Sequence, residues 1–311
     1  MVHEVSTMDR KPDFMIIGAM KSATSTLHEQ LALQPGIFMS TPKEPNFFSD
    51  EPEFARGMAY YTSLFAAAPP GALCGESSTH YTKLPRHPHV VERIAEHVPD
   101  AKFIYVMRHP IDRLVSHYIH EWTQRVLDMP IGKALDWHPA LLDFSRYTMQ
   151  IEPYLRRFGK ERVLPVFFDR LRAHPQEELE RVCRFIGYPG TPTWREIEAQ
   201  NVSAERMRAN RWRDALVHMP GLAYIRKRFV PQSVRDRIKS LWMMKKRPEL
   251  SEFERARLER EFDTDLARLG QWLGVDLRCE NFKEVTRDRV LAWTDAAPSF
   301  TPAGASSRVT P

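Results

Sequence analysis

Phe14-Met-Ile-Ile-Gly-Ala-Met-Lys-Ser-Ala-Thr-Ser-Thr-Leu27 is the stretch on which the fold turns. Residues 14–17 are an unbroken apolar run of the length and content of a buried strand. Gly18 permits a tight turn. Lys21 follows, then small and hydroxyl residues that open a segment in which Leu27, Leu31 and Leu33 predict a helix ending near Pro35-Gly36. In a strand–loop–helix unit the first N–H groups of the helix lack internal partners and lie at the positive end of its dipole. Small residues, Ala23 among them, let an anion approach that backbone, and Lys21, Thr24, Ser25 and Thr26 add donors, so the loop reads as a phosphate cradle. Capping a helix needs one such residue, whereas Ser22–Thr26 carries four hydroxyls after a lysine.

The loop of ATPases and kinases, G-x-x-x-x-G-K-[ST], is the nearest rival. Here Met20 precedes Lys21, and the lysine lies three residues after Gly18. The shorter loop has room for a 5′-phosphate and less for a triphosphate. No clear magnesium-binding Asp ends a following strand. A P-loop-type small-molecule kinase stays open as the alternative enzyme.

The same logic recurs at Phe103-Ile-Tyr-Val-Met-Arg-His-Pro-Ile-Asp-Arg-Leu-Val-Ser-His-Tyr118. Residues 103–107 read as a buried strand, and Pro110 opens a helix over 111–126 that carries Arg113 and Ser116. Arg108 sits at the carboxyl end of the strand, where parallel sheets bind their ligands. Its guanidinium is a permanent forked charge suited to phosphate. Ser116 is about two helical turns further on and can reach the same anion if the arginine doubles back.

Helices are also predicted at 88–98, 147–158 and 175–187, a weak strand at 72–74 and a strand at 163–168. Near-continuous apolar strands alternating with helices predict an α/β fold with a central parallel sheet flanked by helices, a P-loop-like three-layer arrangement in a single domain. Pro165 weakens the last strand or puts it at an edge. The expected organisation is an N-terminal arm over 1–12, one domain over 13–295 and a disordered Pro/Ser/Ala-rich tail over 296–311.

The 311 residues, 42% hydrophobic and 27% charged, fall near globular averages and exclude collagen-like, coiled-coil and wholly disordered chains. No apolar run approaches the roughly 18–20 residues of a membrane span, and the first thirteen residues lack the apolar core of a secretory leader. Cys74, Cys183 and Cys279 are odd in number and show no C-x-x-C spacing, which predicts neither a disulfide framework nor a zinc site. A cytoplasmic protein without a metal is expected. The net charge of +5 is unevenly spread. Residues 205–247 hold thirteen basic and three acidic residues, a net of +10, which leaves the rest at −5. In that segment Val234, Ile238, Leu241 and Trp242 share one helical face. Two readings stand: a lid over an acceptor pocket that also touches an anionic membrane surface, or, favoured, a helical region packed on its own sheet with a solvated basic rim.

Taken together, KSATST and R-H-P-x-x-R-x-x-S-x-Y resemble the 5′-phosphosulfate loop and the 3′-phosphate motif of the nucleotide-dependent sulfotransferases, closest to the heparan-sulfate-type branch and its bacterial relatives. Thr41-Pro-Lys-Glu-Pro-Asn-Phe-Phe48 resembles the branch's K-E-x-x-F-F stretch, Gly75-Glu-Ser-Ser-Thr-His-Tyr81 its E-x-S-P-x-Y stretch, and Lys245-Lys-Arg-Pro-Glu-Leu250 its late basic loop. The resemblance covers roughly residues 13–275. It implies 3′-phosphoadenosine 5′-phosphosulfate as donor and no metal. It also implies that Lys21 with Ser22, Ala23, Thr24, Ser25 and Thr26 holds the 5′-phosphosulfate. Arg108 and Ser116 would hold the 3′-phosphate, with Lys245, Lys246 and Arg247 adding late contacts. Lys21 would neutralise charge developing on the leaving phosphate, and Glu44 would take the acceptor's proton, with His80 as a weaker alternative base. His117 and His120 read as helix-surface or packing residues, and Phe47 and Phe48 as core anchors. Asn46, Ser49, Ser77 and Thr79 depart from residues seen in some relatives, which bears on the acceptor more than on the donor. The acceptor classes are small molecule, carbohydrate, lipid or peptide tyrosine, through a hydroxyl or, second, an amine. No nucleic acid is expected as partner. A non-catalytic nucleotide- or nucleic-acid-binding module is the alternative of a different class, although no RNA-binding aromatic signature stands out.

Overall fold

Five short segments pair side by side into one parallel sheet. The structure, a computed structural model, describes residues 10–196 and 247–299. Its strands are β1 (Phe14–Gly18), β2 (Ile37–Met39), β3 (Leu73–Ser77), β4 (Lys102–Met107) and β5 (Val163–Phe167), in the order β2-β3-β1-β4-β5. Every neighbouring pair is parallel. Phe14 stands opposite Gly75 on one side and Lys102 on the other. The close approach on the first side requires glycine, because a Cβ at Gly75 would lie 2.2 Å from the Phe14 ring.

Side chains two apart on a strand share a face, and both faces are covered. On one, Phe14, Ile16, Ile104, Val106 and Val166 pack with Leu27 and Leu31 of helix Thr24–Ala32 and with Leu179, Val182 and Ile186 of helix Pro175–Ile186. On the other, Phe103 meets Tyr154 and Phe158, and Tyr105 meets Tyr147, all from helix Tyr147–Phe158. Burial on both faces accounts for the unbroken apolar runs of β1 and β4. The expected three-layer fold with a central parallel sheet is thus observed.

Several boundaries differ from expectation. β3 runs on to Ser77, beyond the weak strand predicted at 72–74, and β2 had no counterpart. The helix after β4 spans Pro110–Thr123 and stops short of residue 126. β5 is an edge strand, the place open to its proline. Ala297 is buried, so the packed chain extends past Asp295 into the stretch expected to be a disordered tail; residues 300–311 lie outside the described residues. Lys245, Lys246 and nearly all of the basic segment lie outside the described residues. No helix among the described residues is long and apolar enough to cross a membrane.

The chain divides into two compact units. The first, in its described part, comprises residues 10–113, 142–195 and 257–299 and contains the whole sheet. The second comprises 114–141, 196 and 247–256. Within it Tyr118 donates to the Met129 carbonyl at 2.8 Å, and His117 lies 3.3 Å from the Glu121 carboxylate. His117 is buried, as the packing reading, one of the two given for it, requires.

Candidate active site

β1 delivers the chain to Gly18, whose φ of 150° suits glycine. A Cβ there would lie 2.0 Å from Thr82 Oγ1, the hydroxyl that donates to the Ile17 carbonyl at 2.7 Å. The Ala19 N–H is pinned to the Val106 carbonyl of β4 at 2.8 Å. Lys21 and Ala23 then take left-handed backbone conformations, with φ of 70° and 68°. Two non-glycine residues in that region cost of order 1–2 kcal/mol each, a strain typical of loops shaped around a ligand. Ala23 is the residue before helix Thr24–Ala32, no side chain caps the helix, and its first turn carries no acid. Ser22–Thr26 is therefore not a cap. Ser22 Oγ is fully buried and meets no hydrogen-bond partner among the described residues. Thr24 is buried, Ser25 half-buried and Thr26 exposed.

Arg108 begins where β4 ends, and its Nη1 donates to the Lys21 carbonyl at 3.1 Å. The two anion sites expected from separate motifs are thus joined by a direct contact. The guanidinium also lies over the Phe168 ring, 4.5 Å from its centre, which fixes its plane. The Tyr147 hydroxyl receives the Arg108 N–H at 3.2 Å and donates to the Arg108 carbonyl, holding the strand end from the opposite side.

Arg113, His109 and Asp112 of this second motif make structural contacts. Arg113 is fully buried and donates through Nε to Ser145 at 2.5 Å, and burial brings its pKa down to about 10. His109 Nε2 lies 3.0 Å from the Cys279 carbonyl, and Asp112 pairs with Lys283 at 2.6 Å. These contacts tie the start of the helix to the C-terminal segment. Ser116 is half-buried in the second unit, and Arg247 is exposed.

Glu44 comes to the same loop by a different route. Phe47 and Phe48, both fully buried against Tyr61, anchor the segment, as expected of them. Upstream of that anchor Glu44 and Asn46 adopt left-handed conformations, with φ of 58° and 51°. Thr79 Oγ1 donates to Glu44 Oε2 and Lys43 Nζ to Glu44 Oε1, each at 3.3 Å. Lys43 Nζ also donates to Ser25 Oγ at 2.7 Å. One lysine therefore bridges the phosphate loop and the candidate base. One helical turn past Thr24, His28 is buried with Nδ1 2.9 Å from Ser77 Oγ. Burial, and second the Lys43 charge, bring its pKa down to about 4, against an opposing pull from Glu44.

Beneath this surface lies Glu76, fully buried on β3. It accepts hydrogen bonds from Tyr61 at 2.6 Å, Tyr81 at 3.0 Å and Ser78 at 3.0 Å. Burial raises its pKa to about 7, and the three hydroxyls oppose the rise. The Asn46 N–H donates to Ser78 Oγ at 3.1 Å, which links this buried carboxyl to the Glu44 loop.

Lys43, His28 and Tyr147 contact the candidate site although no role was expected of them. For Lys43 the signal was its place beside Glu44 in the K-E pair, and for His28 its place one turn into the helix of the phosphate loop. Tyr147 carried no local signal.

A five-stranded parallel sheet flanked by helices, with the loops after β1 and β4 joined at its strand ends, has the P-loop-like fold. The particular family follows from comparison: residues 12–192 match the family model described as "Sulfotransferase family", and the chain belongs to that family. It is 31% identical over 186 residues to heparan sulfate glucosamine 3-O-sulfotransferase 3B1 of Mus musculus, covering 57% of this chain and 46% of that protein. Human bifunctional heparan sulfate N-deacetylase/N-sulfotransferase 2 is 26% identical over 207 residues, 58% of this chain and 22% of its own. The chain spans about half or less of the length of these curated relatives. Among solved structures, a sulfotransferase from Alicyclobacillus acidocaldarius shares the fold with a TM-score of 0.61 at 24% identity, over 86% of this chain and 98% of that one.

Proposed function

We propose that the protein is a sulfotransferase that moves a sulfuryl group from 3′-phosphoadenosine 5′-phosphosulfate to a hydroxyl acceptor. The observation that carries this reading is the joining of three segments distant in sequence. Arg108 holds the Lys21 carbonyl, and Lys43 bridges Ser25 to Glu44.

The residues present fit the nucleotide. Ser22 offers a buried hydroxyl without a partner among the described residues, and the helix start at Ala23 is uncapped by side chains. Lys21 and the loop 18–26 would hold its 5′-phosphosulfate, and Arg108 its 3′-phosphate. The assignments of Ser116, Lys245, Lys246 and Arg247 to the 3′-phosphate rest on their sequence motifs alone. When bound, the nucleotide supplies an activated sulfuryl group. This chain's own part is electrostatic and acid–base. Lys21 and the helix N–H groups meet the negative charge that grows on the leaving phosphate as the S–O bond breaks. Glu44 takes the proton of the attacking hydroxyl. Lys43 holds one Glu44 oxygen and Thr79 the other, which aims the carboxylate. His28, neutral above about pH 4, serves as a hydrogen-bonding wall through Ser77.

The names of the relatives specify glucosamine hydroxyl and N-sulfation of heparan sulfate, which favours a carbohydrate acceptor here. Three buried cysteines, none in a disulfide, fit the cytoplasm. The test is incubation of purified protein with the sulfate donor and a panel of carbohydrate, lipid and phenolic hydroxyls, read by mass spectrometry. Donor-dependent sulfation that Lys21→Ala abolishes supports the reading. Transfer that survives Lys21→Ala and Arg108→Ala together overturns the site.

A further inference from the structure

We propose that Asp50, His80 and His87 form a binding site for one divalent transition-metal ion of the zinc type. The three residues come from separate segments: the loop after Phe48, the turn Thr79–Thr82 and the stretch before helix Val90–His97. They line one cavity of about 680 Å³. One ligating atom from each lies within 4.8 Å of the others. Tetrahedral zinc with bonds of roughly 2.1 Å holds its ligand atoms roughly 3.4 Å apart, so small side-chain rotations close the set.

The hydrogen bond of His87 selects the tautomer that a metal needs. His87 Nδ1 lies 3.1 Å from the Ser49 carbonyl. A carbonyl only accepts, so Nδ1 carries the proton and Nε2 keeps a lone pair. Nε2 is buried and meets no hydrogen-bond partner among the described residues. An imidazole that donates one nitrogen to a backbone carbonyl while the other stays open is the usual arrangement of a metal-ligating histidine. His80 Nδ1 is 3.0 Å from Asp50 Oδ1, and Ser49 Oγ donates to the same carboxylate oxygen at 3.2 Å. The two imidazoles stack, with centres 5.1 Å apart and planes 17° from parallel. A His80–Asp50 hydrogen bond by itself leaves the buried Nε2 of His87 without a purpose.

The donor set gives the metal class. Two neutral imidazoles and one carboxylate suit zinc and the later first-row dications, and leave a fourth position open. Calcium and magnesium prefer an all-oxygen shell. The site is distinct from the sulfuryl-transfer residues yet touches their support. His80 follows Thr79, which holds Glu44, and Asp50 ends the segment that begins with Lys43 and Glu44. A bound ion would tie these two segments together. The ligands are separated by 30 and 7 residues in the chain, which is why no metal-binding spacing is visible in the sequence.

The test is titration of the full chain, freed of metal by chelator, with Co²⁺ read by visible absorption, followed by displacement with Zn²⁺. One equivalent is expected, with bands typical of a four-coordinate site. His87→Gln and the near-isosteric Asp50→Asn should each weaken binding at least about tenfold, while exposed His89→Gln, in the same cavity, should leave it unchanged. Zn²⁺ should raise the melting temperature of the unaltered protein and not that of His87→Gln. Failure of the unaltered protein to bind Co²⁺ overturns the proposal. So does undiminished binding in a folded His80→Gln/His87→Gln double variant, or equal loss in His89→Gln.

Discussion

Glu44 is held by backbone and side chain alike: a left-handed φ of 58°, Thr79 on one oxygen and Lys43 on the other. A carboxylate fixed in this way can take a proton without first reorienting, which is where general-base catalysis gains its rate. Glu44→Gln keeps the shape and removes the basicity. It should lower kcat about 10²- to 10⁴-fold and leave the affinity for 3′-phosphoadenosine 5′-phosphate intact, checked by steady-state kinetics beside nucleotide titration. Arg108 calls for a different substitution. Lysine keeps its charge but loses the fork that reaches the Lys21 carbonyl and the flat contact with Phe168. A charge-assisted hydrogen bond contributes roughly 1.5–3 kcal/mol. Arg108→Lys should therefore weaken binding of the same bisphosphate roughly 10–100-fold, read by calorimetry.

At the scale of elements, β3 carries a carboxyl that the fold holds close to neutral. Glu76 has a folded pKa of about 7 against an ordinary 4.5. Between those values the folded chain binds a proton that the unfolded chain has released, so stability falls as pH rises through that window and levels off above it. The loss is on the order of 3 kcal/mol. His28 acts in the opposite sense. Its pKa lies at about 4 when folded, against 6.5, so stability rises with pH between those values. Glu76→Gln, compared with the unaltered chain by denaturant unfolding at pH 5 and pH 8, isolates the first effect because the His28 contribution is common to both. The variant should lose less stability on going to pH 8. These elements also mark how far the fold was legible beforehand. β1 and β4 are apolar on both faces and announce themselves by composition. β3 reads Leu-Cys-Gly-Glu-Ser, and its polar half becomes strand only because Tyr61, Tyr81 and Ser78 satisfy Glu76 from elsewhere in the chain. β2 is three residues long, too short for any periodicity. Lys21 and Arg108, the proposed anion residues, stood out in the sequence because each follows an apolar strand. Lys43 and His28 gain meaning only when the 41–48 loop folds onto the phosphate helix, a contact that no local pattern encodes.

Over the whole molecule, a parallel sheet sends all its strand ends to one edge, and the loops after β1, β3 and β4 bring Lys21, Thr79 and Arg108 there. A ligand with phosphates at both ends of a ribose should therefore stabilise the native chain by mass action. A saturating excess of 3′-phosphoadenosine 5′-phosphate, about 100 times its Kd, adds roughly 2.7 kcal/mol and should raise the melting temperature by several degrees. ATP with magnesium should not, and Arg108→Ala should abolish most of the shift. A larger shift with ATP–magnesium than with the bisphosphate would favour the kinase alternative.

The two margins of the sheet also set how copies of this chain can meet. An open strand edge is a template for another chain's backbone, and natural proteins blunt it. On β5 the carbonyls of Val163 and Pro165 are taken by the side chains of Trp293 and Arg181, at 2.7 and 2.6 Å. Pro165 brings no N–H of its own. At the other margin β2 offers three residues. Among the described residues, growth of the sheet from one molecule into the next is hindered at β5 and poorly templated at β2, which disfavours edge-to-edge association.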